Sequence, residues 1–375
     1  MRIYLDNAAT TPIDPEVVTA MTDVLSSHFG NPSSSHHFGR AAKALIETSR
    51  RAVAKELNCH SSEIIFTCGG TEADNAALYL SVRNLGVERI ITTSIEHHAV
   101  GHTVEALKRE EGIEIVYLTA DLKGNIQLSQ LEERLKESKK TLVSLMHANN
   151  EIGTLLPIQR VSEMCRKYNA YFHSDTVQSM AHYRFDLGAL DIDFITCSAH
   201  KFHGPKGVGF LYVNKKLKIG SFIHGGAQER GMRGGTENVP GIVGLAKAFQ
   251  LAYNDIEEHH AHIQGLKSYM IDALKKAIPN VSFHGETDPE KSLYTVLNVC
   301  FPRFEGSGMF LFTLDLKGIA VSGGSACSSG AVGASHVLSG IEADLNRPNA
   351  RFSFSKFNTK EEIDRVIEEL RLIVK

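Results

Sequence analysis

The chain has no Cys-x-x-Cys pair, no apolar run long enough to span a bilayer, and no marked excess of either charge. Each absence excludes something. Six cysteines (Cys59, Cys68, Cys165, Cys197, Cys300 and Cys327) are scattered over 375 residues, which argues against a disulfide framework or a zinc ribbon. A formal charge of −3 aims no strong field at nucleic acid or an anionic membrane, so neither is an expected partner. The first residues, Met1-Arg2-Ile3-Tyr4-Leu5-Asp6, lack a signal-type apolar stretch, and a cytoplasmic enzyme with reduced thiols is the expectation. Internal repeats and disordered linkers are also missing.

What is present is an ordinary soluble composition, 42% apolar and 22% charged, in a chain long enough for two domains at roughly 150 residues each. Strand-like and helix-like segments alternate. Arg89-Ile90-Ile91-Thr92-Thr93 reads as a strand ending before Glu96-His97-His98. Leu142 to Met146 reads as another, ending at His147-Ala148-Asn149-Asn150, with a helix pattern around Ile158 to Lys167. Ala170 to Ser174 ends at Asp175, and Asp193 to Cys197 ends at Ser198. This βαβ alternation predicts a mostly parallel sheet with helices on both faces. Such sheets bind ligands at the carboxyl ends of their strands, where these polar residues fall. The helix-rich tail predicts a second, smaller α+β domain, giving domains 1–255 and 256–375. Residues 358–375 read as its last helix, with Ile363, Val366, Ile367 and Leu370 at helical spacing.

The most informative segment is Ser198-Ala199-His200-Lys201-Phe202-His203-Gly204-Pro205-Lys206-Gly207. A hydroxyl, an imidazole and a lysine cluster where a strand ends, and the glycines and proline make a tight loop behind them. An isolated lysine is ordinarily a solvated surface group. Here its neighbours suit a cofactor with both an aldehyde and a phosphate. Pyridoxal phosphate, held as a lysine Schiff base, is such a cofactor. Its pyridine nitrogen needs a carboxylate, and Asp175 sits one crossover before Lys201; an acid at a strand end is also a common helix cap. Its phosphate needs amides at a helix N-terminus. Cys68-Gly69-Gly70-Thr71-Glu72 offers them ahead of a helix from about Ala73 to Val82, although Gly-Gly-Thr by itself is usually a turn. A ring face needs a flat partner, which His97 or His98 could supply. No metal is expected: Glu258-His259-His260-Ala261-His262 has no matching acidic or cysteine partner and reads as a solvated helix face.

Cys327 lies in Val321-Ser322-Gly323-Gly324-Ser325-Ala326-Cys327-Ser328-Ser329-Gly330-Ala331. A segment of such small residues builds no core and reads as an exposed, mobile loop. Free cysteines are mostly buried and inert, so a cysteine here suggests reactivity.

Together these residues resemble the cysteine desulfurases, pyridoxal-phosphate enzymes of fold type I, over essentially the whole chain. The matching motifs are Tyr4-Leu5-Asp6-Asn7-Ala8-Ala9-Thr10-Thr11, Asn31-Pro32-Ser33-Ser34, Gly70-Thr71-Glu72, Glu96-His97, Asn149-Asn150-Glu151-Ile152-Gly153 and Asp175-Thr176-Val177-Gln178. They continue through the lysine motif, Arg233-Gly234-Gly235-Thr236, Ser325-Ala326-Cys327 and Arg351-Phe352-Ser353. The resemblance implies an α/β fold: a large domain with a mostly parallel seven-stranded sheet, and a smaller C-terminal domain against which residues 1–14 pack. Lys201 would bind the cofactor and move the substrate Cα proton, and His97 would stack on the ring. Asp175 would pair with the pyridine nitrogen; Gln178 and Asn150 would contact the hydroxyl side of the ring. Gly70, Thr71, Ser198 and His200 would hold the phosphate, and Thr236 would do so from the other subunit of a homodimer. Arg351, helped by Asn150, would clamp the carboxylate of L-cysteine. Cys327 would take the sulfur as a persulfide, leaving L-alanine, and pass it to an acceptor, an iron–sulfur scaffold or a thiolation relay protein.

Two departures stand out. Phe354-Ser355-Lys356 replaces the usual leucine-glycine-arginine after the clamp, and the stretch between Cys327 and Arg351 is somewhat short. The chain also stops at Lys375, where the housekeeping desulfurases carry a scaffold-docking extension. A selenocysteine lyase, an aminotransferase or hydrolase using Lys201 without Cys327, and a non-enzymatic relative are the competing readings.

Overall fold

Apolar runs without alternation belong to strands buried on both faces, and the chain folds accordingly. The computed structural model describes residues 2–323 and 335–374. Its strands are β1 (Ile3–Tyr4), β2 (Ile64–Thr67), β3 (Arg89–Thr93), β4 (Glu114–Leu118), β5 (Thr141–Ser144) and β6 (Tyr171–Asp175). They continue as β7 (Phe194–Ser198), β8 (Gly209–Val213), β9 (Ser282–His284), β10 (Val296–Cys300), β11 (Ile319–Ala320) and β12 (Asn349–Ser353).

The main sheet has seven strands in the order β2-β8-β7-β6-β5-β3-β4. β3, β4, β5, β6 and β7 are parallel to their neighbours among themselves, and only β8 runs against its two neighbours, β7 and β2. All five residues of β7 are buried. Phe194 packs on one face with Ala73, Ala77 and Leu80 of helix Gly70–Leu85. Ile195 packs on the other with Ile242, Leu245 and Phe249 of helix Val239–Asn254. Alternate side chains of one strand thus fasten helices to opposite faces, as the βαβ pattern requires.

A second apolar cluster joins Leu266 and Met270 of helix Ile256–Ala277, Leu297 and Val299 of β10, and Phe352 of β12. Val366 and Leu370 of helix Lys360–Ile373 complete it, and Ile3 and Leu5 from the N-terminus are part of it. There β12, β10 and β9 form an antiparallel sheet, while β1 pairs in parallel with β11.

Some boundaries differ from the sequence reading. The helix expected at 73–82 runs from Gly70 to Leu85, because Gly70 is itself the first helical residue. The final helix begins at Lys360, where Thr359 and Glu362 close a capping box. The histidines near 260 form a solvated face only in part, with Glu258 and His262 exposed. His260 stacks edge-on against Tyr294 at 4.5 Å, His262 bonds the carbonyl of Asn358, and His259 is half-buried.

A buried ion pair pins the connection between β8 and helix Val239–Asn254. Arg50 donates from Nη1 and Nη2 to Glu229 at 2.6 and 2.9 Å, with both side chains 2% exposed. Glu229 also accepts from the Phe66 amide, and Arg50 lies over the Phe66 ring. Removing one partner strands a buried charge. Glu229→Ala should lower stability by about 3–5 kcal/mol in urea unfolding, whereas Arg50→Met with Glu229→Leu should recover most of that loss.

Candidate active site

The carboxyl ends of β3, β5, β6 and β7 open into one cleft of about 780 Å³. Gly70, Thr71, His97, Asn150, Asp175, Gln178, Ser198, His200, Lys201 and Arg351 all line it. One described residue expected there is not brought to it. Thr236 of this chain is exposed and outside the cleft wall. Cys327 lies outside the described residues.

Each group reaches the cleft for a local reason. Lys201 closes a single helical turn, Ala199–Lys201, directly after β7. Its Nζ donates to the carbonyls of Ala8 and Ala9 at 2.6 and 2.9 Å. Asp175 is the last residue of β6, and its Oδ1 accepts from the Val177 amide at 2.8 Å. His97 caps helix His98–Glu111, its Nδ1 accepting from the Ala99 amide at 3.1 Å. Gln178 Nε2 donates to the Ala8 carbonyl at 3.0 Å. His200 Nδ1 lies 3.2 Å from Thr10 Oγ1. Residues 8–10 therefore form a rail beneath three cleft side chains, two held by backbone carbonyls and one by the Thr10 hydroxyl.

The site is poor in net charge. Burial, helped by the Asp74 carboxyl, pushes Asp175 up to about 7, partly offset by the Val177 amide. Burial also raises Asp74 to about 8 and Glu96 to about 8. Burial, then the neighbouring Lys201, holds His97 down at about 4, and the same two causes hold His200 at about 4. Both imidazoles are thus neutral at pH 7.

Asp74, Glu96, Asp6 and the carbonyls of Ala8 and Ala9 were not singled out from sequence as site groups. Asp74 sits on a helix face where an acid ordinarily meets water, yet here it is 1% exposed against the sheet. Its Oδ1 stands 3.4 Å from His173 Nε2. That distance is long for a hydrogen bond, and with His173 held neutral by burial at about 4 the contact is not an ion pair. Asp74, His97 and Asp175 each bring one donor atom within 4.8 Å of the others.

A second cavity of about 590 Å³ shares Ala8, Gln178 and Lys201 and is lined by His182, His203 and Lys356. Lys356, from the unusual Phe354-Ser355-Lys356 stretch, pairs there with Asp14 at 2.6 Å. The groups expected at the cofactor and substrate collect in the first cleft.

That cleft fits pyridoxal phosphate. Helix Gly70–Leu85 points its N-terminus at Ser198, and it lies so close to the sheet that a Cβ on Gly70 would come within 2.7 Å of Val177 Cγ2. Free amides, Thr71, Ser198 and His200 make an anion cradle. Asn150 Oδ1 and Asp74 Oδ1 are buried without a hydrogen-bond partner among the described residues, as polar atoms awaiting a ligand are. A lysine, a strand-end carboxyl and a flat imidazole share the same space.

Known proteins agree with this geometry. The class-V aminotransferase family matches residues 3–366. A putative cysteine desulfurase, IscS 1, of Bacillus subtilis is 43% identical over 100% of this chain and 99% of its own. The cysteine desulfurase IscS of Methanosarcina thermophila is 43% identical over 99% and 92%. Among solved structures, a NifS-like protein superposes with a TM-score of 0.91 at 37% identity, covering 100% and 99% of the two chains. The NifS-like protein of Rickettsia africae gives 0.89 at 33%, covering 100% and 99%. The chain belongs to the class-V aminotransferase family, whose cofactor is pyridoxal phosphate. Within it, the chain is a cysteine desulfurase.

The buried acids make stability pH-dependent. Glu96 binds its proton more tightly folded than unfolded, so its contribution is complete below the ordinary value of 4.5 and fades as pH rises through about 8. Gln at this position carries no such dependence. Glu96→Gln should therefore gain stability relative to the parent as pH is raised from 5 to 8.5, read from thermal melts across that range.

Proposed function

We propose that this chain converts L-cysteine to L-alanine and carries the released sulfur on Cys327, with Lys201, Asp175 and Arg351 as the groups that handle the substrate and cofactor. The observation that carries this reading is their convergence on one cleft with an anion cradle at its end. A relative solved as SspA in complex with cysteine, 32% identical with a TM-score of 0.80 over 96% of this chain and 100% of its own, supports the substrate.

Bound pyridoxal phosphate supplies an electron sink that stabilises loss of the substrate Cα proton. The protein's own groups do the rest. Thr71, Ser198, His200 and the amides beyond Gly70 would hold the phosphate. Asp175, raised to about 7 by burial, would favour its carboxylate form beside a cationic ring nitrogen, since an adjacent cation favours the charged form. Neutral His97 would lie against the ring, and Gln178 and Asn150 would contact the side bearing the hydroxyl. Lys201 Nζ, poised on two carbonyls, takes the Cα proton and returns it to the product. Arg351 binds the α-carboxylate. The Cys327 sulfur would bond to the substrate sulfur while the Cβ–S bond breaks with its electron pair going to carbon; Cβ takes up a proton equivalent to the one the Cys327 thiol gives up, which leaves a persulfide on the enzyme and alanine in the cleft.

Thr236, exposed on its own subunit, is suited to complete the phosphate site of a second copy, and a homodimer follows. Leu25, Phe29 and Phe38, 66%, 77% and 51% exposed, supply apolar surface for that contact. The sulfur acceptor is an iron–sulfur scaffold or a thiolation relay protein. The separate apolar cluster around the small antiparallel sheet supports a cofactor domain of residues 1–255 and a smaller domain of 256–375. No helix among the described residues is long and apolar enough to cross a membrane.

Mass spectrometry after exposure to L-cysteine should find the added sulfur on Cys327. Cys327→Ala should lose alanine production almost entirely; full production by that variant would overturn the assignment. Lys201→Ala should lose the visible absorbance of the lysine-bound cofactor.

A further inference from the structure

Arg351, the carboxylate clamp in the reading above, already has partners. Its side chain is 2% exposed. Nη1 donates to the Asn150 carbonyl and Nη2 to Asp6 Oδ1, each at 2.9 Å. Nε is buried with no partner among the described residues. The same Asp6 Oδ1 accepts from Ser322 Oγ at 2.7 Å. Ser322 and Arg351 also exchange backbone hydrogen bonds, with the Arg351 amide 2.6 Å from the Ser322 carbonyl. Three segments distant in sequence thus meet at one guanidinium.

A guanidinium buried this deeply is costly unless a countercharge and hydrogen bonds accompany it. Asp6 supplies the countercharge, and the Asn150 carbonyl fixes the plane. An arriving carboxylate therefore meets an arginine whose charge is partly spent, and it meets the like charge of Asp6 nearby. The substrate and product of this enzyme carry the same α-carboxylate and α-amino group. A clamp on the carboxylate cannot tell them apart, and an undamped clamp would retain alanine as firmly as it captures cysteine.

We propose that Asp6 is a positioning residue that sets the strength of the clamp: it holds Arg351 in place in the empty site and weakens its grip on any amino-acid carboxylate, so that alanine leaves. The proposal rests on Arg351 being the clamp. It concerns the motif residue Asp6, which the reaction outlined above leaves without a task.

The test compares binding of L-alanine and of L-alaninamide, which lacks the carboxylate, to holoenzyme by equilibrium dialysis. Asp6→Asn keeps the shape and an oxygen for Arg351 and Ser322 but removes the charge. It should bind alanine about 3- to 10-fold tighter, leave alaninamide unchanged, and lower KM for L-cysteine without raising kcat. Asp6→Glu should restore parental alanine affinity. A purely structural role predicts looser binding, so unchanged or weaker alanine binding by folded Asp6→Asn overturns the proposal. Ser322→Ala tests it without touching either charge. Freed of one donor, Asp6 should hold Arg351 more firmly, and alanine should bind about twofold more weakly; unchanged or tighter binding there counts against Asp6 as well. Arg351→Gln separates the two ideas. If it binds alanine as the parent does, the clamp assignment fails. If it loses alanine while Asp6→Asn gains nothing, only the role of Asp6 fails.

Discussion

Parallel strands share a direction, and that constraint organises the molecule. β3, β5, β6 and β7 all finish at the same edge of the sheet, and the chemistry-bearing residues lie at or a few positions beyond each finish: His97, Asn150, Asp175 and Lys201. Backbone carbonyls and amides at that edge have no further ladder to join. Helix N-termini begin there, supplying free amides that favour an anion. The position of the cleft follows from topology, before any individual side chain is considered.

The elements that hold this edge were easy to read from sequence because parallel strands are uniformly apolar and bounded by polar residues. β3 falls at Arg89–Thr93 as read, the helix at Ile158–Lys167 likewise, and β6 and β7 are displaced by one residue. The cleft-lining residues were legible because they belong to contiguous motifs at strand ends. Asp74 and Asp6 were not. Asp74 is an acid on a helix, and nothing local says that its face lies against the sheet rather than in water. Asp6 gains meaning only from Arg351, more than 300 positions away. His259 and His260 misled for the same reason: their polarity matched a wet face, while Tyr294 comes from a distant segment. Contacts of this kind are decided by tertiary packing, which a local pattern does not contain.

Low dielectric surroundings give the cleft a particular electrical character. Its imidazoles are held neutral and its acids hold protons near neutral pH, because burial penalises every charge that lacks a partner. The strong pairs lie at its margins. Arg233 grips Glu72 in the first turn of the phosphate-facing helix at 2.9 Å, while Glu229, four residues earlier, is locked on Arg50. The connection carrying Thr236 is thereby fixed at two points to the domain it leaves. A rigid presentation of this kind suits the role proposed for Thr236 in a neighbouring subunit, since little freedom remains to be lost on association.

The rail of residues 8–10 also bears on synthesis. β1 has its partner in β11, near position 320, and the backbone around Ala8 is tied to Ser353. The segment around Ala8 therefore waits for one made 345 residues later. At translation rates of about 5–20 residues per second, that delay is on the order of tens of seconds. During it the sheet can form, but Lys201 lacks the carbonyls that hold its amine, and Arg351 has not yet been made. A nascent chain that has not reached Ser353 therefore lacks the tie that seats residues 8–10 beneath the cleft.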